Sequence, residues 1–203
     1  MKAILPIVYI GNIEYYTILN RAEEVILDRH ENFRKQSFRN RTEIYGGFGK
    51  HSLTIPIKKH PNHTPIHKIE VFNESRLLSG WLKTHWKSIE TVYRSSPYFE
   101  YYEDEFFPIF TGEKKNLIEF NLELQSKIIE LLQIEPKITF TESYISQKED
   151  FTDYRKEFNP KTKSLSFPDS PYNQVFEDKY GFIPNLFILD LLFNEGPNSI
   201  SFL

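Results

Sequence analysis

The chain has 203 residues, with 28 acidic against 25 basic side chains and a net charge of −3. This is a soluble globular composition, and it gives no electrostatic reason to expect a nucleic-acid binder. Cysteine is absent, which excludes disulfides, zinc–thiolate sites, iron–sulfur clusters and a thiol nucleophile. Aromatic residues reach 16%, more than a core of this size needs by default, so their positions are part of the question.

Residues 3–10 are apolar and β-prone, bounded by Gly11-Asn12, and read as a first buried strand. Pro6, Gly11 and Glu14 interrupt the run too early for a secretory leader. No run approaches the roughly 18 apolar residues of a membrane span, and the expected compartment is the cytoplasm. Asn12 is placed to cap a short helix over 13–20, and Glu24–Asp28 reads as a second buried strand ending in an acid. A strand, helix and strand this close predict a βαβ start to a sheet.

Residues 29–41 then carry Arg29, Arg34, Lys35, Arg39 and Arg41 against Glu31 alone. Thr42–Tyr45, the turn Gly46–Gly49 and Ser52–Ile57 predict a β-hairpin. Pro56 argues for an edge there. After a polar loop, the alternation in Ile66–Phe72 predicts another strand.

From about Asn73 the period becomes helical through Leu78, Leu82, Ile89 and Val92, with Trp81, Trp86 and Tyr93 alongside, until Ser95-Ser96-Pro97. Asn116 is a cap, with Glu119 three residues on, for a helix carrying Leu117, Phe120, Leu124, Ile128 and Leu131 on one stripe. Ile138–Phe140 reads as a short strand. Residues 141–173 are polar with few apolar anchors and read as a long excursion or lid. Asn185–Phe193 suits a short buried helix, with Pro184 near its start and Gly196-Pro197 at its end. The expected architecture is a single α/β domain over residues 1–203, with a central mixed sheet, flanking helices and a β-hairpin.

The common phosphate-cradle, serine-hydrolase, zincin and EF-hand motifs do not occur. Gly46-Gly47-Phe48-Gly49 is better read as a turn. His60, His63 and His67 have close spacing but are separated by prolines and read as a solvated loop rather than a metal site. His85 lies at the rim of an apolar helix face, with Trp81 one turn before it. It is either a hydrogen-bonded core histidine or a general acid–base group. The basic stretch 29–41 is a solvated face, an internal partner of the acidic segment 100–105, or a seat for a carboxylate or phosphate.

Two segments together resemble the WbqC-like family. One is Asp28–Arg41, in which an acid ends a strand before a Lys, an aromatic residue and the Asn40-Arg41 pair, with Leu53–Ile57 downstream. The other is Trp81–Ile89 with Tyr93 and Ser96-Pro97-Tyr98-Phe99. The ending from Asn185 to Pro197 resembles a form met in Bacteroidetes-like members. The first segment departs from the family, because Pro6–Asn12 lacks the Gln and Trp of the usual Gln-Pro-x-Tyr-x-Pro-Trp. The resemblance implies a place in O-antigen or other surface-polysaccharide biosynthesis, and glycyl or acyl transfer to an amino sugar. On that reading His85 accepts a proton from the attacking amine. Lys35 and Arg41 hold an anionic group such as a nucleotide-sugar phosphate. Asn40 donates to a developing oxyanion, and Trp81 or Tyr93 stacks on a sugar. The alternative is a non-catalytic carbohydrate- or partner-binding protein of a surface-glycan pathway. The sequence names no cofactor, metal or oligomeric state.

Overall fold

The computed structural model describes residues 1–73, 80–162 and 171–203. Leu78, expected in the helical stripe, lies outside the described residues.

Strand β1 (Lys2–Pro6) and helix α1 (Ile13–Arg21) lead into strand β2 (Glu24–Asp28), the βαβ unit expected from their spacing. The Asn12 carboxamide accepts the Tyr15 N–H at 3.2 Å and starts α1. Both strands are apolar without alternation because both faces are covered, as a parallel sheet requires. Residues 7–10 do not extend β1. They form a buried loop in which the Tyr9 N–H donates to the Phe38 carbonyl at 2.8 Å.

Strands β3 (Arg41–Gly46) and β4 (Gly49–Thr54) make the predicted antiparallel hairpin. Ile66–Phe72 does not form the predicted strand. Ile66–Lys68 is a 3-10 turn, followed by single bridges of Val71 to Ile57 and Glu70 to Asn116. Alternation alone does not separate a strand from a tight turn whose Ile66, Ile69 and Val71 all reach the core.

Helix α2 (Trp81–Tyr93) packs on the hairpin, and α3 (Phe99–Phe106) follows. Helix α4 (Leu117–Leu132) starts at Asn116, whose side chain accepts the N–H groups of Ile118 and Glu119. Glu119 stays exposed, and the Asn116 amide donates instead to the His67 carbonyl. Strand β5 (Ile138–Phe140) then pairs with β2, and β6 (Phe151–Asp153) pairs with β1, both parallel. After the short α5 (Glu177–Tyr180), α6 (Ile188–Glu195) is buried on all sides except at its last residue. Gly196, at φ 55°, ends it against the Tyr98 ring.

Among the described residues the α/β domain therefore has a parallel sheet of order β5-β2-β1-β6 and a separate hairpin sheet. The central sheet, expected to be mixed, is parallel among the described strands, and antiparallel strand pairing is found in the hairpin, with only single bridges elsewhere. The polar stretch 141–173 contributes more to this core than its composition suggests. It holds β5's continuation at Thr141, all of β6, and the buried Arg155 and Phe158.

Candidate functional site

The sequence-predicted residues fall around α2 and the hairpin. His85 lies on the inner face of α2, 5% exposed, with Nδ1 2.8 Å from the Tyr9 hydroxyl. Burial pushes its imidazole down to about 4, against a backbone hydrogen bond at Thr54, and nearby His51 pushes it further down. The ring is therefore neutral at pH 7. With the ring proton directed to the Thr54 backbone, which favours the charged form, Nδ1 is free to accept from the Tyr9 hydroxyl. Trp81 meets His85 edge-on at 5.2 Å between ring centres. Ile10, beside Tyr9, holds φ 41°, an uncommon conformation for a β-branched residue, and Thr42 Oγ1 pins its carbonyl at 2.9 Å.

Arg41 and Asn40 approach the same strand end. Arg41 Nε donates to Thr54 Oγ1 at 3.2 Å. Asn40 Nδ2 donates to the Ile55 carbonyl at 2.9 Å, and its buried Oδ1 has no partner among the described residues. The expected role for Asn40 as an oxyanion donor meets an amide nitrogen that already serves the backbone. Tyr93 is fully buried. Its hydroxyl donates to Asp190 Oδ1 at 2.7 Å and accepts the Tyr45 N–H at 3.0 Å, so it is a core residue. Lys35 is exposed on the loop after β2 and lines none of the cavities described below. His85 thus meets Tyr9 and Trp81, while Arg41 and Asn40 bond Thr54 and Ile55 at the end of the hairpin, and none of His85, Asn40 and Arg41 lines the cavities around α2; Lys35 and Tyr93 stand apart.

Trp81 also forms the wall of an open groove of about 650 Å³, with Trp86, Phe107 and Phe110 and with Lys83 and Glu113. The Trp81 indole N–H donates to Asn73 Oδ1 at 3.1 Å, which fixes the ring.

A second constellation lies at the carboxyl ends of the parallel strands. Asp28, at the end of β2 and fully buried, accepts from the N–H groups of His30 and Glu31 and from Thr141 Oγ1. Its other oxygen receives Arg155 Nη1 at 2.6 Å. Arg155 also grips Asp153 through Nε and Nη2, and donates to the carbonyls of Ile145 and Ser146. Arg39 closes on Glu31 through Nε at 2.9 Å and Nη2 at 2.7 Å, and bonds the carbonyls of Arg155 and Phe158. These buried ion pairs tie the loops after β2, β5 and β6 into one unit. Sequence reading ended β2 at Asp28 but did not find its partner Arg155, 127 residues away. The basic run pairs through Arg39 with Glu31 rather than with the acidic segment 100–105, whose Glu103 and Glu105 pair with Arg94 and Lys127.

The three histidines of the polar loop do not converge. His60 Nδ1 lies 2.9 Å from the Pro61 carbonyl and His67 Nδ1 lies 2.9 Å from that of Arg29. No group of three or more acids or histidines among the described residues is arranged to hold a metal ion.

A model of the WbqC-like protein family matches residues 8–162, most of the chain. The chain belongs to the WbqC-like family. It is also 24% identical to an uncharacterised protein of Mycobacterium tuberculosis, Rv1507c, over 93% of this chain and 91% of the relative. No solved structure matches it. Family membership thus rests on a span that includes both Asp28–Arg41 and Trp81–Tyr98. No helix among the described residues is long and apolar enough to cross a membrane.

Proposed function

We propose that this WbqC-like chain recognises an amino sugar of surface-polysaccharide assembly in the cytoplasm, using the groove along α2. The observation that carries this reading is the aromatic wall of that groove. Trp81, Trp86, Phe107 and Phe110 offer flat apolar surface, and Lys83 and Glu113 supply polar groups beside it. A concave, largely aromatic surface with a few polar groups suits a sugar ring, which has apolar faces and a hydroxylated edge. His85 supports the wall from behind as a positioning residue, because its ring is held by Tyr9 and Thr54 and abuts Trp81.

Both tryptophans of the chain line this groove, so intrinsic fluorescence reports on it directly. Titration with glucosamine or N-acetylglucosamine is expected to shift or quench the emission saturably, and Trp81→Phe to remove a large part of the change. An unchanged spectrum with amino sugars would sink the reading.

A second reading, glycyl or acyl transfer to the amine of that sugar, draws on the neutral imidazole of His85, the protonation state a base needs. A value near 4 makes it a weak base, and Trp81 stands beside it. Turnover of an activated acyl donor that disappears in His85→Gln, while sugar binding persists, would favour transfer over binding alone.

A further inference from the structure

The carboxyl edge of the parallel sheet holds a cavity of about 500 Å³ that the groove on α2 does not share. Its place follows from topology. The chain runs from β1 to β2 on one side and later sets β6 on the other side of β1. In open parallel sheets a crevice forms at the carboxyl ends where the strand order reverses in this way, and ligands bind there.

The charges around the cavity are unevenly committed. Glu31 and Asp153 line it, yet each carboxylate is held in a two-pronged pair, by Arg39 and by Arg155. Arg155 uses every guanidinium nitrogen on Asp28, Asp153 and two carbonyls. Arg34 and Lys156 also line the cavity, are exposed, and form no ion pair within 4 Å with a described residue. Their only resolved influence is a weak field on Glu31 and Asp153. The buried ion pairs thus build the floor, and two uncommitted cations stand on it. Asn62, Ser146 and Tyr144 add neutral hydrogen-bonding groups around the opening.

We infer that this carboxyl-edge cavity is a second binding site, for a phosphorylated sugar, with Arg34 and Lys156 on the phosphoryl group and the neutral polar side chains on hydroxyls. Arg supplies a planar fork and Lys a point charge, the pair of donors that phosphate oxygens accept well. The site uses Arg34 where sequence reading named its neighbour Lys35. It draws its second cation from the polar stretch 141–173.

Calorimetric titration of the full chain with glucose 1-phosphate, glucose and inorganic phosphate tests the assignment. The expected result is saturable binding of glucose 1-phosphate, at least tenfold weaker binding of glucose and of free phosphate, and marked weakening at high salt. Arg34→Ala and Lys156→Ala are each expected to weaken glucose 1-phosphate about tenfold or more. Both residues are exposed, so circular dichroism should remain that of the wild type. Trp81→Phe, which reports on the α2 groove, should leave this affinity unchanged, so failure of one site is separable from failure of the other. No binding of glucose 1-phosphate, or undiminished binding in both cation variants, would overturn the site. Equal affinity for free phosphate would overturn the sugar component.

Discussion

Two buried residues carry opposite proton linkages. Burial lowers the His85 imidazole from 6.5 to about 4, so the unfolded chain takes up that proton first. The stability that neutral His85 contributes is complete above about pH 6.5 and is lost as pH falls toward 4. Burial raises Asp190 from 3.8 to about 6, although Tyr172, Tyr93 and Gln174 donate to it and pull the other way. The folded chain therefore holds the Asp190 proton more tightly than the unfolded chain does. Its contribution is complete below about pH 3.8 and is lost as pH rises through 6. Each shift corresponds to about 3 kcal/mol, and the two act over the same window with opposite slopes. Urea midpoints of the wild type are expected to vary little between pH 4 and 6 on account of this pair. In His85→Gln, stability should fall with rising pH, and in Asp190→Asn it should fall with falling pH. Slopes of the same sign in both variants would refute the assignment. Tyr9→Phe leaves the His85 acceptor unpaired in a buried site, and a loss of about 1–3 kcal/mol is expected in the same unfolding assay.

At the scale of elements, helix starts and ends are local chemistry, which is why they were legible. Asn12 and Asn116 cap where their spacing indicated, and Gly196 ends α6. Asn116→Ala should cost about 1 kcal/mol, read from the thermal or urea transition, with a further loss because its amide also bonds His67. Gly196→Ala should cost more, because a Cβ there would lie 2.5 Å from the Tyr98 ring at a positive φ. Ile66–Phe72 misled because single bridges and a 3-10 turn leave the same inward isoleucines as a strand. Strand β6 was hidden because Phe151-Thr152-Asp153 is three residues in polar surroundings, and only its pairing with Lys2–Ile4 makes it a strand. Tyr93 could be read as a stacking platform because a helical aromatic looks the same whether it faces a ligand or Asp190. Lys35 and Arg34 differ by one position in an irregular loop, where no period says which side chain turns inward.

At the scale of the whole molecule, the Asp28–Arg155 pair joins the first quarter of the chain to its last third. Asp28→Asn leaves Arg155 buried with part of its charge uncompensated, and a loss of about 3–5 kcal/mol is expected from urea unfolding. Long-range pairings of this kind leave no local trace in composition, so the buried ionic floor of the second cavity could be found only in three dimensions. The sheet order has a further effect on how the protein is made. Strand β1 emerges from the ribosome first, but its outer neighbour β6 and the counter-ion of Asp28 arrive only after residue 150. Until then one side of β1 is a bare hydrogen-bonding edge and Asp28 has no cation, which invites pairing with other chains. Vectorial synthesis can pair β1, β2 and β5 in turn but leaves the sheet open on the β1 side until β6 is made. Nascent chains stalled before Phe151 should remain sensitive to protease and bind chaperones, and protection should be complete only once the buried helix α6 has also been released.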